Sequence, residues 1–184
     1  PRFASCNILR KRAGSGLYGP VGYPDGICQD KQPENPPDKQ EKYPGKFTLH
    51  KNGNNLGVTA NFLEGAKRAK GDYIMFCDQD DVWLPNKIER TLAKIKEREK
   101  QLGKATVVFT DAKLVNGALE PIHDSFFGYN GLNTSKTDLP HLLIENKVIG
   151  CTTMFNRAVQ DKMTSFPVNA RYHDWWIALI GATF

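Results

Sequence analysis

Two hydrophobic periods organise the chain from Phe47 onward. "KFTLH" has the pattern of a short strand, and "NGNN" after it marks a turn. Phe62, Leu63, Ala66 and Ala69 fall on one face at helical spacing, with Thr59 placed to cap that helix and Gly71 to end it. Tyr73 to Cys77 is a run of apolar or nearly apolar residues, bounded by turn signals and too short for a helix, and it predicts a buried strand. Pro85 suits the first turn of a second helix, with Ile88, Leu92 and Ile95 facing inward and Lys94, Lys96, Arg98 and Lys100 in solvent. "ATVVFT", ending at Asp111, predicts the next strand. A strand around Val148 to Phe155, a short helix from Arg157 and a helix from about Asp174 complete the series. Helices alternating with continuous apolar strands predict an α/β layered domain with a largely parallel sheet.

No such period runs through the start of the chain. Seven of the eleven prolines lie between Pro1 and Pro44, together with Gly14, Gly16, Gly19, Gly22 and Gly26. A stretch such as "DKQPENPPDKQ" cannot bury enough apolar surface to offset its ordering entropy. Residues 1–45 therefore read as an irregular or disordered leader, and residues 46–184 as the folded domain. The 184 residues and 40% hydrophobic content suffice for one domain with a core.

Charge and cysteines narrow the function classes. The net charge of +5 is dispersed, without the clustered basic face that nucleic-acid binding requires. No apolar run reaches the ~20 residues of a membrane span, and the first residues lack the apolar core of a signal peptide. Cys6, Cys28, Cys77 and Cys151 are far apart with no C-x-x-C pair, which suits a reduced cytoplasm better than a disulfide framework or a zinc site.

The apolar run Tyr73 to Cys77 leads straight into Asp78, Asp80 and Asp81. Like charges packed so closely repel. In an open α/β sheet, ligands bind beyond the carboxyl ends of strands, and two carboxylates spaced i, i+2 can share a divalent cation. Hard oxygen ligands suit Mg²⁺ or Mn²⁺, with phosphate oxygens completing the shell. A solvated acidic turn ahead of a helix is the plain alternative. An EF-hand loop does not fit, because Val82 and Trp83 stand where a ligand and a glycine are needed. A D-x-D-x-T phosphatase loop mismatches at Val82.

The stretch "NNLGVTANFLEGAKRAKGDYIMFCDQDDVWLPNKIE" resembles the core of family 2 glycosyltransferases with the GT-A fold. The matching positions are Asn55, Gly57, Asn61, Ala69, Gly71, Asp72, Asp78, Asp80, Asp81, Trp83, Pro85 and Lys87. "DQDDVW", "VIGCTTMFNRAV" and "HDWWIAL" look most like the rhamnosyltransferase-containing branch that builds bacterial surface polysaccharides. The resemblance covers about Phe47 to Phe184. It implies a layered sheet with helices on both faces and a nucleotide-diphospho-sugar donor. It also implies a glycan or lipid-linked acceptor on the cytoplasmic side of a bacterial inner membrane, with peripheral association there. Carried over, Asp80 is the principal metal ligand for Mg²⁺ or Mn²⁺, Asp78 the ribose or second metal contact, and Asp81 a third donor-side carboxylate. Asn61 lies near where the family binds the nucleotide; a helix-surface amide is its alternative.

A second site is implied at "RYHDWW". The acceptor hydroxyl must lose a proton as it attacks the anomeric carbon, and a nearby carboxylate can take it. Asp174 matches the family's acidic base; a helix N-cap is its alternative. Trp175 and Trp176 could stack on a sugar, but one of them must face the core. His173 is an acceptor contact or a surface histidine. Cys151, without a histidine partner in its stretch, reads as a packing residue rather than a nucleophile.

The chain departs from the family at its start, where residues Pro1 to about Lys39 lack the expected first strands. A shifted reading frame would account for this: alternate-frame codons for "KRAGSGLYG" and "QPENPP" permit family-like segments. The end at Phe184, inside the helix after Asp174, reads as a truncation. The leading expectation is a metal-dependent, inverting glycosyltransferase or part of one. Its rivals are a non-catalytic remnant and a carbohydrate- or metal-binding module without turnover.

Overall fold

Alternation along one strand decides the layers. In a computed structural model, which describes residues 3–7, 50, 52–78, 81–163 and 171–184, the elements run in chain order as strand β1 (Phe3–Asn7), helix α1 (Gly57–Arg68), β2 (Tyr73–Cys77), α2 (Lys87–Leu102), β3 (Val107–Val108), β4 (Leu114–Val115), β5 (Pro121–His123), α3 (Phe126–Tyr129), α4 (Leu139–Ile144), a 3-10 turn (Gly150–Thr152), β6 (Met154–Asn156), α5 (Arg157–Asp161) and α6 (His173–Thr183). Ile74 and Phe76 of β2 face one side of the sheet, where they meet Phe62, Leu63 and Ala66 of α1, Phe155, Val159, Ile177 and Ile180. Met75 faces the other side and packs with Met154 and Ile95 of α2, flanked by Tyr73 and Leu92. Helices thus cover both faces, and each fully buried Ile or Phe contributes about 1.5–3 kcal/mol.

The sheet order is β1-β2-β6-β3. β1 runs parallel to β2, with Ala4 opposite Ile74, whereas β6 is antiparallel to both β2 and β3. The sheet is therefore mixed, not largely parallel as the apolar strands suggested. A short apolar strand buried on both faces reads the same in either direction, so the pattern could not reveal that β6 is reversed. β4 and β5 form a separate antiparallel pair.

Several boundaries move for physical reasons. The predicted strand at Val148–Phe155 is shortened because residues 150–152 wind into a 3-10 turn. The hydroxyls of Thr152 and Thr153 both donate to the Ile149 carbonyl, at 2.9 and 2.8 Å, and such local bonds compete with a ladder. Only Val107–Val108 of "ATVVFT" pairs as strand. Thr59 does not cap α1: the helix starts two residues earlier, and the Thr59 hydroxyl donates to the Arg171 carbonyl at 3.1 Å. Pro85 stands in a turn ahead of α2, which begins at Lys87. Ile88 is 42% exposed, and Thr91 takes the expected inward place beside Leu92 and Ile95. Its hydroxyl is satisfied by the Lys87 carbonyl at 2.7 Å.

A strand, β1, lies within residues 1–45 and pairs with β2, where no strand period was legible. The rest of the leader and most of "KFTLH" lie outside the described residues.

Two polar junctions hold the layers in place. Arg157 and Gln160 of α5 reach the end of α1: Arg157 donates to the carbonyls of Ala69, at 3.0 Å, and Gly71, and Gln160 to those of Ala66 and Ala69, at 2.6 and 2.9 Å. The last carbonyls of a helix have no partner within it, so these side chains supply one. Buried Asn156 accepts from the backbone N–H of Thr106 at 3.0 Å and donates to Glu99 at 2.8 Å and to the Lys104 carbonyl at 3.0 Å.

Helix α6 lies unusually close to β3. A Cβ built on Gly181 would fall 2.5 Å from Cγ2 of Val107. Gly181→Ala should therefore destabilise the chain by about 1–3 kcal/mol, the range for overpacking, read from the urea midpoint. Val107→Ala added to it should recover part of the loss. A Gly181→Ala chain as stable as the parent would show that helix and strand can separate freely.

Candidate active site

Strand β2 delivers its carboxylates as expected. Ile74 and Phe76 are fully buried and Asp78, just past the strand end, is exposed. Asp81 follows in an exposed loop; Asp80 lies outside the described residues. One carboxylate oxygen each from Asp78 and Asp81 and the Cys151 sulfur lie within 4.8 Å of one another. Cys151 arrives on the 3-10 turn, next to the end of β2 because the Phe76 N–H donates to the Thr153 carbonyl at 3.3 Å. Two exposed hard oxygens and a third donor form a set that fits a divalent cation. The Cys151 thiol hydrogen-bonds to Asp81. Burial, that bond and the charges of Asp81 and Asp78 push its pKa up. Burial, followed by the Asp81 charge, also raises Cys77.

A cation of the protein's own stands beside this cluster. The Lys87 ammonium donates to the Cys151 carbonyl at 2.9 Å and lies 4.3 Å from the centre of the Trp83 ring. Burial pulls its pKa down while Cys151, Asp81, Cys77 and Asp78 oppose that shift. The Trp83 indole Nε1 is buried and has no hydrogen-bond partner among the described residues.

Asp174 sits on the other side of the same turn. It is in the first turn of α6, whose N-cap position is held by Tyr172. Its carboxylate accepts from the Trp175 N–H at 2.7 Å, from Asn146 Nδ2 at 3.2 Å and from the Gly150 N–H. Burial raises its pKa, and these bonds offset only part of the rise. A Cβ on Gly150 would lie 2.8 Å from His173 Nε2 and 3.4 Å from an Asp174 oxygen, so only glycine fits there without displacing one of them.

The remaining residues are placed as follows. His173 is no surface histidine: its ring stacks on Phe62 at 4.1 Å and meets Phe76 edge-on at 4.9 Å. Trp176 is the tryptophan that packs against the main core. Trp175, partly exposed, donates its indole N–H to the Leu142 carbonyl. Asn61 is on α1 and accepts from Asn52 Nδ2 at 2.8 Å. Sequence reasoning had no site role for Cys151, Gly150, Asn146 or Lys87. Lys87 and the "GCT" turn stood within the family-like strings, but nothing in the spacing tied residue 151 to residue 81.

Comparison with known proteins adds a family. Residues 27–163 match the family described as Glycosyl transferase family 2. The match begins inside the segment read as a leader and stops before α6. The chain is 28% identical over 122 residues to the uncharacterized glycosyltransferase YwdF of Bacillus subtilis, covering 66% of this chain and 42% of YwdF. It is 33% identical over 58 residues to an uncharacterized glycosyltransferase of Haemophilus influenzae, covering 32% of this chain and 20% of that protein. The chain thus spans less than half the length of these relatives. No solved structure matches it.

Packing of His173 predicts an acid-sensitive fold. Burial lowers its pKa from 6.5 to about 4. The unfolded chain therefore binds the extra proton first, and the stability this group contributes is complete above 6.5 and lost as the pH falls toward about 4. Asp174 works in the opposite sense. Its raised pKa makes stability fall as the pH climbs from the ordinary 3.8. Urea unfolding across this range should show a shallower acid loss in His173→Gln and a steeper rise of stability with pH in Asp174→Asn. Slopes unchanged from the parent would place neither group in the buried state described.

Proposed function

The chain belongs to glycosyl transferase family 2, and on that premise we propose that it transfers a sugar from a nucleotide-diphospho-sugar to an acceptor hydroxyl. Asp78, Asp80 and Asp81 hold the donor side, and Asp174 serves the acceptor. The observation that carries this reading is the 3-10 turn, whose Cys151 lies in the carboxylate cluster while its Gly150 abuts Asp174. One short backbone segment joins the two groups that such a transfer requires.

The donor side is a charge problem. These carboxylates would hold a divalent ion, Mg²⁺ or Mn²⁺, whose charge would offset that of the leaving diphosphate. Asp80 and Asp78 are its ligands in this reading, with Asp81 on the donor beside them. Asn61 lies on the nucleotide side. Lys87 keeps the turn at its distance from the carboxylates through the bond to the Cys151 carbonyl.

The acceptor side is a proton problem. Asp174 takes the hydroxyl proton as the oxygen attacks the anomeric carbon from the face opposite the leaving group, which inverts the centre. Burial makes its carboxylate a stronger base than an exposed aspartate. Asn146 and the Gly150 N–H fix the orientation of its oxygens. Trp175 offers the partly exposed ring for sugar stacking, and His173, next to Gly150 and stacked on Phe62, is the candidate acceptor contact beside it in sequence. The "DQDDVW" wording favours a glycan or lipid-linked acceptor in surface polysaccharide synthesis, in the rhamnosyltransferase-like branch, at the cytoplasmic face of the membrane. Among the described residues no helix is long and apolar enough to cross a membrane.

Calorimetry with Mn²⁺ and a panel of nucleoside diphosphates tests the donor side. Asp80→Ala should abolish metal-dependent nucleotide binding and leave the fold intact. Binding that persists, or a chain that unfolds, would remove Asp80 from the site. In a full-length form with its donor identified, Asp174→Asn should keep donor binding and lower transfer by ~10²–10⁴-fold, the range for loss of a general base. The parent rate should rise with pH through the raised pKa of Asp174. Unchanged turnover would leave Asp174 a structural residue of α6.

A further inference from the structure

The amide of Asn146 can face Asp174 in only one way round. Its Oδ1 accepts the Val148 N–H at 3.0 Å, and a backbone N–H can only donate, so the atom turned toward Asp174 is the NH₂ group. That group donates to Asp174 Oδ1 at 3.2 Å. An amide NH₂ donates and does not accept, so it favours the ionised carboxylate over the acid. The chain around Asn146 keeps the amide from swinging away. Lys147 and Val148 are 4% and 5% exposed, and the Lys147 ammonium is tied to the Asn133 carbonyl at 3.0 Å and to Glu145 at 3.2 Å.

Asp174 depends on such a donor because burial works against its charge. The titratable groups on the elements packed around α6 are neutral, exposed or paired elsewhere. His173, beside it, is held neutral above about pH 4, and Arg171 lies over the Tyr172 ring. On the 3-10 turn the Cys151 thiol is kept protonated and bonds Asp81. His141 of α4 pairs with Asp138, and Glu64 of α1 with Lys67 and Arg68. Arg157 of α5 bonds the Ala69 and Gly71 carbonyls, and Asp161 is exposed.

We propose that Asn146 is the positioning residue of the acceptor base, a one-way hydrogen-bond donor that keeps Asp174 ionised and so able to take a proton. The inference rests on Asp174 being that base and adds what sets its charge. As the acceptor oxygen bonds to the anomeric carbon and the bond to the diphosphate breaks, the hydroxyl proton passes to the Asp174 carboxylate. A carboxyl that already held a proton could not receive it.

Nuclear magnetic resonance on the ¹³C- and ¹⁵N-labelled 184-residue chain tests this without either substrate. The side-chain NH₂ signal of Asn146 should move with pH at the midpoint of the Asp174 carboxyl carbon, and Asp174→Asn should abolish that movement. Asn146→Asp separates the donor from the turn. Its carboxylate can still accept the Val148 N–H, as aspartate does in such turns, but it sets a second acceptor against Asp174. The fold should persist, and the upper midpoint of the carboxylate pair should rise about one unit or more above that of Asp174 in the parent. A residue that only shaped the turn would leave the midpoint where it was. An Asn146 NH₂ signal indifferent to Asp174, or an unmoved midpoint in folded Asn146→Asp, would overturn the inference. Should Asn146→Asp fail to fold, the titration of the parent decides alone. In a full-length form that turns over, the acid limb of the rate should move to higher pH in the same variant. Unchanged turnover in Asp174→Asn, beside a coupled titration of Asn146 and Asp174, would sink the base reading and leave Asn146 as the group that sets the charge of Asp174.

Discussion

The 3-10 turn Gly150–Thr152 is gripped from two sides, and both halves of the site take their positions from it. On one side the Lys87 ammonium holds the Cys151 carbonyl at 2.9 Å. On the other the Asp174 carboxylate accepts the Gly150 N–H. The hydroxyls of Thr152 and Thr153 fold the turn back onto Ile149. The Phe76 N–H fastens the following residue to the last part of β2. Each of these bonds satisfies a group that would otherwise be costly where water is partly excluded. A shift of the turn by even an ångström would move Cys151 relative to Asp81 and Asp174 relative to Gly150 together.

The sheet is arranged to keep that turn still. β6 follows the turn directly and is clasped on both edges by antiparallel partners, β2 and β3. Its last residue, Asn156, is buried and bonds β3's approach, α2 and α5 at once. Glu99, which receives the Asn156 amide, also accepts the Tyr73 hydroxyl at 2.5 Å. Burial, aided by Glu99, raises the Tyr73 pKa to about 12, so the phenol stays a donor. A polar network of this kind is worth keeping in a core only when every member is satisfied. Here it fixes the register of the strand that leads out of the site.

How much of this was legible follows from how far each signal reaches along the chain. Local signals survived: the helix faces of Phe62, Leu63 and Ala66, the five-residue strand at Tyr73 to Cys77, and the carboxylates that end it. Nearby residues enforce these patterns, so sequence alone exposes them. The direction of β6 was not legible, because apolar residues buried on both faces look alike whichever way the strand runs. The strand Phe3–Asn7 was hidden by the proline- and glycine-rich stretch that follows it. Cys151 and Lys87 were invisible as partners of the carboxylates, since their convergence depends on the turn and not on spacing. His173 was misjudged because a polar residue beside an aspartate suggests surface, whereas Phe62 and Phe76 enclose its ring.

The two sides of the turn differ in the kind of partner they offer a carboxylate. At the strand end, Asp78 and Asp81 face the Lys87 ammonium, which also meets an indole face and a carbonyl. Carboxylates brought this close repel one another, and a cation placed between them would relieve that repulsion. Among the described residues, the partners of Asp174 are neutral donors: a backbone N–H from each of two chain segments and an amide from Asn146. Neutral donors orient a carboxylate without cancelling its charge, and burial then makes proton uptake favourable. On the function proposed above, one fold thus arranges a place for positive charge and, a single turn away, a place for a proton, which are two demands of sugar transfer to a hydroxyl.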